Sequence, residues 1–290
     1  MKLSDILALL FLAALWGGSF LFMRIAAPVL GPVWLIEFRV LLAGLLLLPV
    51  LVHLGLWQLM RRNLMPLLLV GCLNSALPFL LLAFASVSLP AGLTSILNGT
   101  APLFGTVVAS LWLHEKLTPT RMVGFGLGFM GVVMLVGWTT IETTPRILLA
   151  MGAALMAALM YAIAAPYIKQ NLGHVPSLVA TTGSQLGAAL VLIPALPFTV
   201  PQQVPSTGII LSVLALAGIS TALAYILFFR LIQNIGSTKA LTVTYLIPIF
   251  AMVWGAIILQ ETITLSMVCG CGLILLGTAI ANDLLTFSNK

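Results

Sequence analysis

Polar residues that interrupt long apolar stretches are the first candidates for chemistry in this 290-residue chain. One such run, Asn-Gly-Thr-Ala-Pro, ends at Pro102, and proline lacks an N–H, so the carbonyl of Asn98 loses its helical donor. Pro248 frees the carbonyl of Thr244 in the same way, beside Tyr245. In a lipid-embedded helix, such groups are tolerated where they face protein or a water-filled cavity. The two runs indicate reversible binding of a polar solute, or kinks whose carbonyls a neighbouring Ser or Thr satisfies.

A second group of polar and aromatic residues lies inside the other apolar stretches and is a candidate lining for the same binding site. Asn74 and Pro78 are four residues apart, so they share a helix face, and Pro78 is a further candidate kink. Buried amides and hydroxyls can also serve only to hold neighbouring helices together. For each residue of the group, binding and packing are both left open. The group comprises Trp16, Ser19, Asn74, Phe79, Thr100, Tyr161, Gln185 and Tyr225.

Three charged residues lie at or near membrane depth, where ionisable groups are rare and usually functional. Arg24 and Glu37 fall at similar depths on either side of the first turn, which predicts an ion pair between them. Arg39 is then the candidate partner for an anionic solute group such as a carboxylate. Glu115 and Glu261 occupy matching helix ends, which predicts a shared capping or gating contact.

Composition shows which elements must position these residues. The hydrophobic share is 61% and the charged share 6%, whereas soluble domains carry about a quarter charged residues. Only helices or closed barrels satisfy the backbone in lipid, and these runs are continuous and too long for barrel strands. The fold class is therefore all-α, with the lipid bilayer as partner and about ten spans. We predict spans at 5–27, 33–53, 66–86, 91–113, 121–138, 147–168, 177–197, 208–229, 239–259 and 265–283.

The basic residues are distributed unevenly between alternate loops. With a cytoplasmic N-terminus, Arg146 alone falls on the outer side, and the positive-inside rule then places both termini in the cytoplasm. The net charge of +6 is thereby explained without a nucleic-acid partner. No metal-ligand cluster, phosphate loop or catalytic constellation is evident, so we expect no enzyme, no cofactor and no metal. The inner basic residues are Lys2, Arg61, Arg62, Lys116, Arg121, Lys169, Arg230, Lys239 and Lys290.

An internal repeat organises the whole chain. A shift of 146 residues places segment 76–133 on segment 222–279 without a gap, and it matches Pro102 with Pro248. This predicts two five-helix units, 1–140 and 141–290. Because five is odd, the second unit enters the membrane from the opposite side, and such inverted repeats place a solute site near the midplane between the halves. A glycine pair at Gly124 and Gly128 permits close helix packing, either internally or in a homodimer, so monomer and homodimer remain open.

The order of these features is similar to that of a known family. Trp-Gly-Gly-Ser-Phe at 16–20, Arg39 after Pro32, Pro102, and Glu-Lys-Leu-Thr at 115–118 are followed in the second half by Pro248 and Glu-Thr-Ile-Thr at 261–264. Together they resemble the EamA family of the drug/metabolite transporter superfamily. The resemblance implies ten helices, a bacterial cytoplasmic (inner) membrane location, and alternating-access transport of small metabolites, often export of amino acids or related compounds.

Two functional alternatives follow. Small multidrug-resistance pumps, a related branch, carry a carboxylate in the middle of the first helix, and this chain has none there. The sequence therefore favours a carrier that runs down its substrate gradient over one coupled to protons. The alternative from another class is a non-transporting membrane receptor or scaffold, which would have a closed, dry core between the halves.

Overall fold

The computed structural model describes residues 2–112, 118–137 and 144–282, without the side chains at 237 and 238. All regular structure in these residues is helical. In chain order the helices are α1 (Leu3–His53), α2 (Trp57–Arg62), α3 (Leu64–Val70), a first π segment (Gly71–Ala76), α4 (Leu77–Ser88), α5 (Ala91–Asn98), α6 (Ala101–Trp112), α7 (Pro119–Gly137), α8 (Pro145–Asn171), α9 (Ser177–Leu192), a 3-10 turn (Ile193–Phe198), α10 (Thr207–Ala217), a second π segment (Gly218–Leu223), α11 (Ala224–Ile235), α12 (Ser237–Leu241), α13 (Val243–Leu259) and α14 (Leu265–Ala281).

Seven helical stretches of the described chain are long and apolar enough to cross a membrane, judged by length and composition. They differ from the predicted ten spans at three places. The 51-residue α1 covers the first two predicted spans; the fourth is split into α5 and α6; and α14 has only 17 residues. The seven stretches are Leu3–His53, Leu64–Ser88, Pro119–Gly137, Pro145–Asn171, Ser177–Phe198, Thr207–Ile235 and Lys239–Leu259.

The long helix α1 is divided at Gly31. Gly31 has φ 73° and ψ 155°, far from helical values. Glycine tolerates the positive φ because it has no Cβ, and the following Pro32 pushes the preceding residue toward extended ψ. A continuous helix of 51 residues would be about 75 Å long, against a hydrocarbon layer of about 30 Å. The kink at Gly31 therefore lets the two parts of α1 run in different directions.

Proline has a different effect at its two repeat-equivalent positions. Before Pro102 the helix breaks: α5 ends at Asn98 and α6 begins at Ala101, while Thr100 donates its hydroxyl to the carbonyl of Leu97 at 2.7 Å. Pro248, in contrast, lies inside the continuous helix α13. A hydroxyl that bonds its own backbone competes with the helical ladder. This does not distinguish the two sites, because Thr244 makes the same bond to the carbonyl of Leu241 at 2.8 Å. The second-half break lies further from its proline, at Thr242 between α12 and α13.

The helices of the two halves pack mainly against each other. α1 packs on α13 at Gly17, where an added Cβ would lie 2.7 Å from the Cβ of Phe250. The first π segment packs on α9 at Gly71, where a Cβ would lie 2.6 Å from the carbonyl oxygen of Ser184. Small residues at such contacts let backbones approach closely in lipid. The core of the molecule is therefore the interface between the repeats.

Gly124 and Gly131 of α7 pack against α14. A Cβ on Gly124 would lie 2.5 Å from the backbone nitrogen of Ala281, and one on Gly131 would lie 2.8 Å from the carbonyl oxygen of Gly270. A Cβ on Gly128 would meet the side chain of Leu103 in α6. These glycines serve packing within the chain, so they are not free to form a dimer contact.

Candidate functional site

Arg39 is a buried cation between the two halves. It lies in the second part of α1, with 4% of its surface exposed. Its Nε donates to the Thr221 hydroxyl at 3.1 Å, and its guanidinium carbon lies 3.7 Å from the ring centroid of Phe79. Its Nη1 lies 3.7 Å from the sulfur of Met23. No described carboxylate forms an ion pair with Arg39. A buried charge without a counter-ion is costly, so this position suits an incoming anion.

Gln185 is the second buried polar residue between the halves. It lies in α9 and is 1% exposed. Its Nε2 donates to the hydroxyl of Ser75 in the first π segment, at 3.4 Å. Its Oε1 is buried and accepts no hydrogen bond from any residue that the structure describes. An unsatisfied buried acceptor costs about 1–3 kcal/mol, so a donor from a bound solute would relieve this cost.

The Arg39–Thr221 and Gln185–Ser75 contacts are equivalent to each other by the internal repeat. The repeat shift of 146 residues carries Arg39 to Gln185 and Ser75 to Thr221. Arg39 bonds Thr221, and Gln185 bonds Ser75, each across the boundary between the halves. The same helix positions are therefore related by a pseudo-two-fold arrangement, although one side chain is charged and the other neutral.

Aromatic rings repeat the same relationship. Trp16 in α1 meets Tyr225 in α11 edge-on with ring centroids 6.0 Å apart. Tyr161 in α8 meets Phe79 in α4 edge-on at 6.5 Å. The repeat shift carries Phe79 to Tyr225, and a shift one residue shorter carries Trp16 to Tyr161. Rings thus flank the Arg39 region from both halves, and edge-to-face pairs of this kind hold a rigid wall.

The two π segments place Ser75 and Thr221 and were not predicted. Such insertions are frequent at functional sites. Thr221 donates its hydroxyl to the carbonyl of Leu216, five residues back, at 2.8 Å, which fits a widened helical turn. The first π segment is followed by Pro78, which has no N–H to donate to the helical ladder. In the sequence, Pro78 is a signal for a helix irregularity near the first π segment. For the second π segment, the sequence offers only the polar residue Thr221.

The two proline-containing runs lie against each other. A Cβ on Gly99 would lie 3.6 Å from Cγ of Pro248. The Oδ1 of Asn98 is buried and has no partner within the described ranges. Thr100 and Thr244, however, donate to the carbonyls of Leu97 and Leu241, each three residues earlier in the chain. The meeting of the two runs thus offers one free amide oxygen, and neither hydroxyl is directed to a solute.

The remaining candidates have local roles or lie apart from Arg39. Ser19 donates to the carbonyl of Trp16 at 2.6 Å. Tyr245 is half-buried and interacts with Asn282 after the end of α14. Asn74 is half-buried within the first π segment. The structure thus groups Arg39, Phe79, Tyr161, Gln185, Trp16 and Tyr225 through direct contacts with one another or with the π segments.

The predicted ion pair between Arg24 and Glu37 is wrong. The Nε of Arg24 lies 3.4 Å from Oε1 of Glu261, and its Nη1 donates to the carbonyls of Ser86 and Val87 at 3.0 and 2.8 Å. Equal depth on two helices does not make two side chains face each other. Arg24 faces the C-terminal end of α4, where carbonyls lack helical donors and attract a cation. Glu37 Oε2 is buried without a partner among the described residues.

Glu261 connects the two halves at the end of the molecule where α4 ends and α5 begins. Its Oε2 accepts a hydrogen bond from the Ala91 N–H at 2.9 Å, which caps α5, while its Oε1 faces Arg24. A Cβ on Gly255 would lie 2.5 Å from that Oε2, so glycine leaves room for the carboxylate. Burial raises the pKa of Glu261 above its ordinary 4.5, although the Ala91 N–H and Arg24 act in the opposite direction. We call Arg24, Ala91 and Glu261 the Glu261 latch.

Glu115, the repeat counterpart of Glu261, lies outside the described residues. Three surface cavities of the described structure lie elsewhere. Two flank Asp5 near the start of α1, with volumes of about 210 and 540 Å³. The third is an apolar groove of about 1100 Å³ between α1, α4 and α8. None of the three is lined by Arg39 or Gln185, both of which are buried between the halves.

Comparison with known proteins identifies the family. The EamA-like transporter family matches the chain twice, over residues 3–137 and 148–282. The chain is 28% identical to the uncharacterized transporter YvbV of Bacillus subtilis, over 97% of this chain and 92% of that protein. It is 24% identical to the protein PecM of Dickeya dadantii, covering 100% and 95%, and 26% identical to the uncharacterized inner membrane transporter YedA of Escherichia coli K12, covering 89% and 83%.

The fold is shared with solved structures as well. One crystal structure superposes with a TM-score of 0.64 at 17% identity, covering 98% of both chains. The doubled family match agrees with the two-repeat architecture read from the sequence. The chain belongs to the EamA-like transporter family and is a multi-pass membrane transporter.

Proposed function

We propose that this transporter is a secondary carrier that exports small metabolites bearing an anionic group, such as amino acids or related compounds, by alternating access. The observation that carries the proposal is the buried guanidinium of Arg39, which lies between the halves without a described counter-ion. An Arg side chain has five N–H donors, and only its Nε bonds a hydroxyl oxygen here. The donors that contact neither Thr221 nor the sulfur of Met23 suit a carboxylate, which guanidinium groups bind in bidentate geometry.

The repeat gives this binding group a route to both sides. Ten helices in two inverted five-helix units, residues 1–140 and 141–290, would place Arg39 near the pseudo-two-fold axis, with both termini in the cytoplasm. In such folds, transport consists of the two halves rocking around a fixed central site. The closed surroundings of Arg39 fit an occluded state of that cycle, and the Glu261 latch ties the halves together at one end.

The energy source follows from the acidic residues. No carboxylate that the structure describes pairs with Arg39, so no described acidic group would couple substrate binding there to a proton. We therefore propose a uniporter that runs down the substrate gradient. In liposomes loaded with substrate, an imposed pH gradient should leave the final internal concentration unchanged, and concentrative uptake driven by that gradient would contradict the proposal.

Counterflow in liposomes tests the function itself. Vesicles loaded with one unlabelled amino acid or carboxylate should take up the same labelled solute faster and further with the reconstituted protein than without it. Arg146→Gln, an exposed residue of α8, is the matched control for loss of an arginine and should retain this exchange. Absence of exchange across a broad panel, with correctly folded protein, would favour the receptor or scaffold alternative.

Topology has its own test. With Cys72, Cys269 and Cys271 replaced by serine, single cysteines at Lys2, Lys290 and Arg146 can be labelled in intact cells with a membrane-impermeant maleimide. The ten-span arrangement predicts labelling at position 146 only. Labelling at position 290 but not 2 would mean an odd number of spans and would contradict the inverted repeat.

A further inference from the structure

Arg39 and Gln185 are equivalent by the repeat, but they differ in charge. From this difference we infer that the site takes a solute with an anionic group at Arg39 and an N–H or O–H donor at the Oε1 of Gln185. The inference rests on the proposed function and adds to it a second recognition group and an orientation of the solute. An amino acid has the required groups, and so does a hydroxy acid or an acid with an amide.

The acceptor at Gln185 is fixed and available. Its Nε2 donates to Ser75, which holds the amide plane and leaves the Oε1 directed elsewhere. That oxygen is buried and has no hydrogen-bond partner in the described part of the chain. A second unpartnered group, the Ser220 hydroxyl, lies in the second π segment beside Thr221 and is 1% exposed. Buried polar atoms in native structures ordinarily find partners, so an open oxygen between the halves indicates a ligand group.

Helix geometry sets the distance between the two ends of the solute. Gln185 contacts Ser75, and Arg39 contacts the ring of Phe79. Ser75 and Phe79 are four residues apart on one helical stretch, which corresponds to about one turn, or roughly 5 Å along the axis. Two recognition groups so close together suit a small solute rather than an extended one. The rings of Phe79, Tyr161, Trp16 and Tyr225 form two edge-on pairs across the halves, and such rings suit the apolar body of a solute.

The inverted repeat makes the orientation testable. Because the two positions are equivalent, the solute could be bound in either sense if both carried the same side chain. The cation at Arg39 and the neutral amide at Gln185 remove that ambiguity. Exchanging the two side chains should therefore turn the bound solute around without changing its chemical class.

The test uses matched pairs of solutes that differ only in the donor. Liposome counterflow is measured with L-leucine against 4-methylpentanoate and L-phenylalanine against 3-phenylpropanoate. Wild-type protein should exchange at least one donor-bearing amino acid at least tenfold better than the same acid without its amine. Gln185→Leu should reduce that preference to about twofold or less, whereas Gln185→Glu, which keeps an acceptor oxygen, should retain it.

The side-chain exchange supplies a second readout. Arg39→Gln should lose carboxylate exchange, and the double variant Arg39→Gln/Gln185→Arg should recover at least a tenth of it. Unfolding temperature in detergent shows which variants are folded. If wild-type protein exchanges no solute, the proposed function fails. If it exchanges amino acids but folded Gln185→Leu keeps the full preference for the amine, the proposed function stands and the inference about Gln185 is overturned. The inference is also overturned if the double variant is folded but does not exchange carboxylates.

Discussion

The Nε of Arg39 lies 3.1 Å from the hydroxyl of Thr221, and the repeat counterparts of these residues, Gln185 and Ser75, form the same contact at 3.4 Å. Each contact joins a helix of one half to a π segment of the other. In the alternating-access cycle that we propose, two equivalent contacts at the boundary between the halves would let the same side chains face either side of the membrane. The candidate site is therefore built from side chains of both halves.

Thr221→Ala tests the contact that orients Arg39. A hydrogen bond to a charged group contributes about 1.5–3 kcal/mol. Its loss should raise the half-saturation concentration for a carboxylate in counterflow by about tenfold, while the protein remains folded. Thr221→Ser keeps the hydroxyl and should restore the wild-type value. Unchanged half-saturation in Thr221→Ala would show that Thr221 does not orient Arg39 during transport.

The Glu261 latch predicts how the stability of the folded protein depends on pH. Burial raises the pKa of Glu261 in the folded protein above 4.5. The protonated form is thus favoured by folding, so the stability contributed by Glu261 is fully present below pH 4.5 and is lost as the pH rises through the folded pKa. The unfolding temperature of wild-type protein relative to Glu261→Gln should therefore fall between pH 4 and pH 7. A difference that grows in favour of wild type over this range would contradict the assignment.

Gly255 leaves room for the same carboxylate. Gly255→Ala places a Cβ 2.5 Å from Oε2 of Glu261 and should displace it from the Ala91 N–H. Overpacking of this kind costs about 1–3 kcal/mol in the free energy of unfolding. Gly272→Ala in α14 is the matched control, because no atom lies within 4 Å of its added Cβ. Equal stability of the two variants, measured by denaturation in mixed micelles, would show that Glu261 relaxes without loss.

The packing of α7 on α14 can be tested within one helix. Gly124→Ala adds a methyl group 2.5 Å from the backbone of Ala281, whereas Gly126→Ala meets no atom within 4 Å. The first should destabilise the protein by about 1–3 kcal/mol. The second should be neutral or slightly stabilising, since alanine favours a helix over glycine. If neither variant loses stability and Gly124→Ala instead changes the oligomeric state, the glycines form an intermolecular contact.

Much of the fold follows from the residues alone. Long apolar runs indicated helices, and the shift of 146 residues indicated two copies, which the doubled family match supports. The number of membrane spans is harder to predict from the sequence. The bend at Gly31 hides a boundary inside α1, and a break at positions 99 and 100 separates α5 from α6. Such local departures depend on a few hydrogen bonds, and hydrophobicity averaged over a window does not show them.

The site was only partly predictable. Arg39, Gln185, Trp16, Phe79, Tyr161 and Tyr225 were all candidates, yet their pairing across the halves depends on helix rotation, which spacing within one helix does not fix. The same limit explains the wrong partner for Arg24, since Glu37 matches it in depth and Glu261 matches it in direction. The repeat shift relates Arg39 to Gln185 in the sequence. Only the structure shows that their partners, Thr221 and Ser75, are related by the same shift.

The most direct test of the account is carboxylate counterflow by liposomes containing wild-type protein, Arg39→Gln or Arg146→Gln in equal folded amounts. Loss of charge-assisted bonds worth about 1.5–3 kcal/mol corresponds to a roughly 10–100-fold weaker interaction. We expect Arg39→Gln to need at least tenfold more substrate for half-maximal exchange, with Arg146→Gln matching wild type. Wild-type half-saturation in Arg39→Gln would contradict the claim that Arg39 binds the anionic group of the substrate.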